Sequence, residues 1–388
     1  YLAGKQYSRA VVKRLTSRLN SLPTITMTAV NEVVVDEDKV KLLIDLSEPK
    51  RWSSQSIATL ASDATVFSLQ GGLAWKHGRS RVPVLELSGR HEVGYRAFPF
   101  GTSDSVDFRL HGFNADQLLQ LHTSPSPLSG VSIVTRVLGN VEAQVGYHQA
   151  IFSTEFGLLW HPSHEFAAKL AVEADWLGYY PMLQKPQIFR NKFVEEGLLQ
   201  NAFVPHIYAS LELRPDTHSW MQLDAMPYAQ VGENAFSRAH FRSEWRLPIE
   251  RWTIRPRFQA GLTHWWTARS PLLAYRFFSG GAMSVRGFPF RQLAYPGFVG
   301  DATTIQTGGD VLLLGSLEAR YRVWREWTLL SFLDAGRVWD TLFDDVDSWG
   351  RVKKGFDLND VQPTIGAGVM IPTPLGDFNF AYGARMKQ

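Results

Sequence analysis

The run Arg251-Trp252-Thr253-Ile254-Arg255-Pro256-Arg257-Phe258-Gln259-Ala260-Gly261-Leu262 has a period of two. Trp252, Ile254, Phe258, Ala260 and Leu262 fall on one side of an extended strand, and Thr253, Arg255, Arg257 and Gln259 on the other. The preceding stretch repeats this, with Phe241, Trp245 and Leu247 set against His240, Arg242, Glu244 and Arg246. So does 206–214, where Ile207, Ala209, Leu211 and Leu213 alternate with Tyr208, Ser210, Glu212 and Arg214. Similar patterns occur at 104–111, 169–176, 315–323 and 377–385. A sandwich strand usually turns small polar residues outward. Here the polar side carries Arg, Glu and His, strand after strand. A barrel with lipid outside and water inside satisfies both faces, and closure leaves no sheet edge in lipid. The expected fold class is therefore mainly β, an antiparallel transmembrane β-barrel.

Composition narrows the alternatives without deciding between them. The chain has 388 residues, of which 13% are aromatic and 20% charged. That much aromatic and aliphatic surface excludes a disordered chain. The richest apolar run, Val311–Leu317, is broken by Gly315 and Ser316, which excludes a transmembrane helix. The 13 Trp and 12 Tyr suit the interfacial girdles of a membrane barrel. On composition alone a Trp-rich soluble β-protein or carbohydrate binder is the favoured reading. There is no cysteine, so disulfides and thiolate metal sites are ruled out. A net charge of +3 is too small to argue for nucleic acid. The chain opens at Tyr1-Leu2-Ala3-Gly4 without a signal sequence, and is read as a mature protein or a fragment.

Connection lengths test the barrel independently. Strands are expected near 66–76, 83–93, 104–113, 130–138, 141–150, 152–161, 166–178, 203–214, 218–231, 236–247, 251–266, 309–323, 326–338, 362–371 and 377–386. After even-numbered strands the joins are mostly short. After odd-numbered ones several are long, at 114–129, 179–202, 267–308 and 339–361. Short turns at one end and long loops at the other are the mark of outer-membrane barrels. About fifteen strands is an odd count, whereas single-chain bacterial barrels have an even one.

Residues 1–50 read differently. Ser8 can cap a helix to about Asn20, ended by Pro23. Thr24–Val30 and Lys39–Leu46 follow as two strands around Asp36-Glu37-Asp38.

A set of motifs carries a resemblance. Arg276-Phe277-Phe278-Ser279-Gly280-Gly281 and Ser284-Val285-Arg286-Gly287-Phe288 lie in the longest loop. Then come Thr307-Gly308-Gly309, Gly315-Ser316-Leu317-Glu318-Ala319-Arg320-Tyr321 and Phe332-Leu333-Asp334-Ala335-Gly336. Gly366-Ala367-Gly368-Val369 and Pro372-Thr373-Pro374-Leu375-Gly376 close the series. In this order and spacing the segment 275–385 resembles the BamA/TamA superfamily of outer-membrane assembly proteins. Over 64–266 the resemblance is architectural only. It implies a sixteen-stranded-type barrel behind periplasmic POTRA domains. The domains expected on that basis are the C-terminal part of a POTRA domain at 1–50, a linker at 51–63, and a barrel at 64–388 whose loop 267–308 folds inward. The resemblance further implies that the sixteenth strand is absent from this sequence and that more POTRA domains lie upstream.

The resemblance also points to site residues. Arg286 is expected to fold back into the lumen and contact Glu318 and Asp334 on the barrel wall. Gly287 allows a tight turn, and Phe288 packs against the wall. A guanidinium in a partly dry lumen needs such carboxylates, and its fork favours Arg over Lys. The alternative is an ordinary surface arginine on a mobile loop. A lumen-facing basic set, Arg238, Arg242, Arg246, Arg255 and Arg257, is read as solvating the interior through pairs with Glu212 and Glu244, the alternative being guidance of anionic lipid headgroups or unfolded chains. The eleven His residues have no metal spacing, His161-Pro162-Ser163-His164 included. No nucleophile elbow, phosphate loop or carboxylate pair stands out. No enzyme activity, cofactor or metal is expected.

The function implied by the resemblance is insertion of unfolded outer-membrane clients by lateral strand addition, without nucleotide. The seam is placed beside Phe67–Trp75, where Gly71 and Gly72 weaken pairing. Expected partners are client proteins, the lipid bilayer with its lipopolysaccharide, and a TamB-like inner-membrane partner or lipoprotein accessory subunits. The Ser-Val-Arg-Gly-Phe context favours a TamA-like member over a BamA-like one. A two-partner secretion transporter, a passive porin-like channel and a fusion to an upstream patatin-like lipase stay open. The expected location is the outer membrane of a Gram-negative bacterium or an organelle of bacterial descent, with the POTRA part in the periplasm.

Overall fold

Alternating segments of ten or more residues cannot stop at one hairpin, because each leaves an apolar face and two unpaired edges. The computed structural model shows how they join. It describes residues 26–36, 39–47, 52–62, 67–79, 84–98, 110–124, 130–144, 147–163, 165–181, 200–216, 218–266, 272–282, 284–291, 293, 296–300, 303–306, 308–324, 327–346, 352–353, 355–373 and 376–386. β1 (Thr26–Asp36) and β2 (Lys39–Ser47) pair with each other as an antiparallel hairpin. The main sheet begins with β3 (Trp52–Ser62), β4 (Phe67–Arg79), β5 (Val84–Phe98), β6 (Leu110–Ser124), β7 (Val131–Gln144) and β8 (Tyr147–Ser163). It continues through β9 (Phe166–Pro181), β10 (Ala202–Leu213), β11 (Trp220–Val231), β12 (Asn234–Glu244), its short continuation β13 (Leu247–Ile249), and β14 (Trp252–Trp265). A hairpin of β15 (Pro296–Gly300) and β16 (Thr303–Gln306) lies in the long loop. Next come β17 (Val311–Trp324) and β18 (Trp327–Trp339), then the small pair β19 (Asp345–Val346) and β20 (Val352–Lys353). β21 (Gln362–Thr373) and β22 (Gly376–Arg385) complete the sheet.

The sheet has sixteen segments, all pairs antiparallel, in chain order from β3 to β22, with β13 off the path against β14. The joins 99–109, 182–201, 266–310 and 340–361 are long, and all lie at one end. Those at 164–165, 250–251, 325–326 and 374–375 are tight, and lie at the other.

Several expectations need correction. Residues 51–63 are not a linker: β3 pairs with β4 in register from Trp52↔His77 to Ser62↔Phe67. Its run Ser53-Ser54-Gln55-Ser56 carries no alternation, so backbone pairing, not pattern, makes it a strand. The three short strands expected over 130–161 are two long ones, β7 and β8, joined at 145–146. Gly139 and Asn140 sit inside β7 opposite Phe152 and Ile151. These two errors cancel in the strand count. The expected loop 114–129 is mostly strand, because Asn114 faces inward and its Oδ1 accepts the Ala143 N–H at 2.8 Å. The helix expected over 8–20 lies outside the described residues.

The distribution of side chains is inverted relative to a sandwich. On β8 and β9, Glu155 is 3% and Glu173 6% exposed, while Phe156 is 61% and Val172 64% exposed. Buried charges need partners, and they have them. Arg136 Nη2 donates to Glu173 at 2.7 Å, Lys169 Nζ to Glu155 at 3.0 Å, and His206 Nε2 lies 2.9 Å from Glu173. The outward faces are Phe, Leu, Val and Trp over most strands. Near the tight turns, aromatic pairs form part of a girdle: Trp52 with Trp75 at 6.1 Å, Trp160 with Phe166 at 5.5 Å, and Trp252 with Tyr321 at 4.7 Å. A wet ionic interior behind an apolar exterior is what a lipid-embedded barrel requires.

Candidate functional site

The long loop enters the lumen because its two ends are clamped. Phe277 N–H donates to Gly309 O at 2.8 Å, and Gly309 N–H returns to Phe277 O at 2.9 Å. Just before it, Leu272, Leu273 and Tyr275 are buried among Tyr147, Leu177, Tyr179, Val204, Met226 and Phe236. The Tyr275 hydroxyl donates to Asp175 Oδ2 at 2.6 Å, and Arg238 Nε donates to Tyr275 O at 3.1 Å. Arg276 is buried against Asp340, with Asp310 3.7 Å away. Beyond the clamp, Phe277, Val285 and Leu293 pack on Leu312, Leu314 and Val338 of the wall. The loop is therefore held by two small apolar cores with charged contacts between them.

Arg286 lies at the tip. β17 and β18 pair so that Ser316 is opposite Asp334 and Glu318 opposite Phe332, and all four side chains share the lumen face. Arg286 Nε donates to Asp334 Oδ2 at 2.8 Å and Nη2 to Oδ1 at 2.8 Å, a two-pronged fork. Nη1 donates to Glu318 Oε2 at 2.5 Å, and the Arg286 backbone N–H to Asp334 Oδ2 at 3.0 Å. The guanidinium carbon stands 3.5 Å from the centroid of the Phe332 ring. Asp334 is fully buried and Glu318 is 3% exposed. Burial opposes the Arg286 charge, but its hydrogen bonds to Asp334 and Glu318 prevail, and its pKa lies above the ordinary guanidinium value. Gly287 follows with φ +96°, and a Cβ there would stand 3.1 Å from Gly383 O on β22. Arg385 Nε donates to Gly287 O at 3.1 Å and covers the Phe288 ring at 4.4 Å. So Phe288 meets the last strand.

The basic face is paired, with Glu244 as expected but not with Glu212. Arg242 Nη2 donates to Asp224 at 2.7 Å, Arg246 Nε to Glu244 at 3.2 Å, and Arg257 Nη2 to Ser316 at 3.2 Å. Arg255 shares Glu244 and lies 3.7 Å from Glu318. Glu212 takes no part, because Arg214 on the same strand end holds it. Asp224 takes its place on the neighbouring strand. Sequence reading missed Tyr275, Asp175, Phe332, Gly383 and Arg385. The available signal was parity: Phe332 and Asp334 are two apart on β18, and so face the same side.

Residues 217–388, which hold the loop and both acidic strands, match the Omp85 superfamily domain. That segment is an Omp85 superfamily domain. The chain's fold is similar to BamA from Haemophilus ducreyi in a crystal structure lacking POTRA domains 1–3, with a TM-score of 0.65 and 13% identity over 98% of this chain and 75% of that one. It is also similar to CdiB from Acinetobacter baumannii, with a TM-score of 0.56 and 11% identity over 97% and 65% of the two chains. For CdiB from Escherichia coli the values are 0.55 and 12%, over 99% and 68%. At these identities the likeness is one of fold. No curated protein matches the chain. Omp85 family barrels are outer-membrane proteins of Gram-negative bacteria.

The lumen contacts make a direct prediction. Tyr275→Phe removes a hydrogen bond to a buried carboxylate and is expected to cost about 1.5–3 kcal/mol. The readout is the temperature at which the compact, heat-modifiable band disappears on a gel. An unchanged temperature would show that Tyr275 does not anchor the loop.

Proposed function

We propose that this chain inserts or translocates unfolded outer-membrane proteins by adding client strands to an open edge of its sheet. One observation carries the reading: residues 217–388, which match the Omp85 superfamily domain, form barrel strands around a loop pinned to the wall through Arg286, Asp334 and Glu318. A client strand would add antiparallel to a strand edge through backbone hydrogen bonds. No nucleotide is required, because client burial and strand pairing supply the driving force. The seam lies at β3, and not beside Phe67–Trp75 as the glycines suggested. Gly71 and Gly72 are paired on both sides, to β3 and to β5. Ser53–Ser56 on β3 offer an edge with little side-chain packing to lose.

In this reading the contact of Arg286, Gly287 and Phe288 with Glu318 and Asp334 fixes the loop against the last strands. Arg242, Arg246, Arg255 and Arg257 keep the lumen hydrated. The hairpin β1–β2 belongs to the end of a POTRA domain at 1–50 that hands over clients in the periplasm. The Ser284–Phe288 context favours a TamA-like member, with a TamB-like inner-membrane partner or lipoprotein accessory subunits. A passive porin needs a clear lumen, and the two apolar clusters under the loop speak against one. Catalysis plays no part in strand addition.

Crosslinking a cysteine on β3 to one on β22 tests this. Client insertion into proteoliposomes is expected to stop and to return when the link is cleaved. Full activity with the link in place would defeat the proposal.

A further inference from the structure

At the tight-turn end of the lumen lies a cavity of about 420 Å³. Its lining includes Arg246, Arg251, Arg255, Arg320, Arg322 and His218, and its one carboxylate is Glu250. Three of the arginines are paired with carboxylates of the wall, though these are shared. Arg246 and Arg255 share Glu244, and Arg320 Nε donates to Glu318 at 2.6 Å. Arg251 and Arg322 have no carboxylate partner among the described residues. They are nevertheless direct neighbours. The β14–β17 ladder ends at Trp252↔Tyr321, and Arg322 N–H donates to Arg251 O at 3.0 Å one step beyond. Like charges directly opposite on adjacent strands repel. In addition, Arg255 Nε is buried without a hydrogen-bond partner. Beside His218, Asp216 spends its carboxylate on the backbone N–H groups of His218 and Ser219, at 2.7 Å each. Those bonds, His218 first, hold its pKa below the usual aspartate value.

A pocket of this kind focuses a positive potential. Its volume suits a small molecule and is too small for a folded segment. Guanidinium forks match phosphate oxygens two at a time. We propose that this cavity is a binding site for a phosphate-bearing anion at the short-turn mouth of the barrel. The phosphate belongs either to a free phosphate compound or to a phospholipid headgroup. Its bound charge removes the Arg251–Arg322 repulsion and satisfies Arg255 Nε. The site is separate from the strand edges, and binding does not depend on insertion activity.

The test is calorimetric titration of the full chain in neutral detergent at low salt. Inorganic pyrophosphate is one probe, and dioctanoyl phosphatidylglycerol with its zwitterionic phosphatidylcholine counterpart forms the second arm. Pyrophosphate is expected to bind, and R251A/R322A to weaken it by at least about tenfold. R251K/R322K should keep part of the affinity, as point charges without forks. Binding should fall as salt rises. Tighter binding of phosphatidylglycerol than of both pyrophosphate and phosphatidylcholine would assign the phosphate to a headgroup, and the reverse order to a soluble compound. No pyrophosphate or phosphatidylglycerol binding, equal binding by R251A/R322A with its heat-modifiable band intact, or tighter binding of a hexaglutamate peptide would each overturn the proposal.

Discussion

Arg286→Ala is expected to be the most damaging single change in the lumen. It leaves Asp334 buried with its forked counter-charge removed, and Glu318 with only Arg320 and Arg255, a loss of about 3–5 kcal/mol where one partner of a buried pair is deleted. Arg286→Lys should recover only part of this. One ammonium cannot reproduce the fork on Asp334, the Glu318 bond and the stacking on Phe332 together. The double variant R286A/D334A should cost less than the sum of its parts, because the two residues share one interaction. The measurement is the melting of the heat-modifiable band in detergent, run alongside client insertion. If R286A melts with the wild type, the tip contact contributes nothing to stability and its place in the proposed mechanism falls.

Gly383→Val attacks the same tip from the opposite wall and leaves every Arg286 partner in place. A Cβ on Gly383 would stand 2.9 Å from the Arg286 carbonyl carbon and 2.9 Å from the Gly287 nitrogen. Both are backbone atoms, so no side chain can swing away. Either the tip lifts or β22 moves, at a cost of about 1–3 kcal/mol for overpacking. A cysteine placed at Phe288 should then react faster with a water-soluble maleimide than it does beside glycine. Client insertion should fall as well. Unchanged labelling would mean that the tip does not rest on β22.

Much of this arrangement is legible in the sequence. Period-two segments with Arg and Glu on one side can be solvated only by a wet interior, and the joins at 182–201, 266–310 and 340–361 fix which end carries the long loops. The tip residues Arg286, Glu318 and Asp334 follow from the family resemblance carried by the motifs, and strand parity agrees with it. What failed did so for physical reasons. β3 has Ser53-Ser54-Gln55-Ser56 in place of an alternating pattern, and its pairing comes from β4 alone. Gly139-Asn140 and Asn114 read as turn formers, yet a hydrated lumen satisfies such residues in mid-strand. Tyr275 and Asp175 are one hundred positions apart, and only the folded loop brings them together.

The exposed rows of Phe156, Val172, Leu170 and Trp176 have a thermodynamic consequence. The folded form binds acyl chains over that whole surface, and the unfolded form has no comparable binding surface. In the language of linked equilibria, amphiphile is then a ligand of the native state, and its chemical potential sets how much of the chain is folded. Stability therefore belongs to the pair of barrel and bilayer, and should shift with chain length and lipid-to-protein ratio while every residue stays the same.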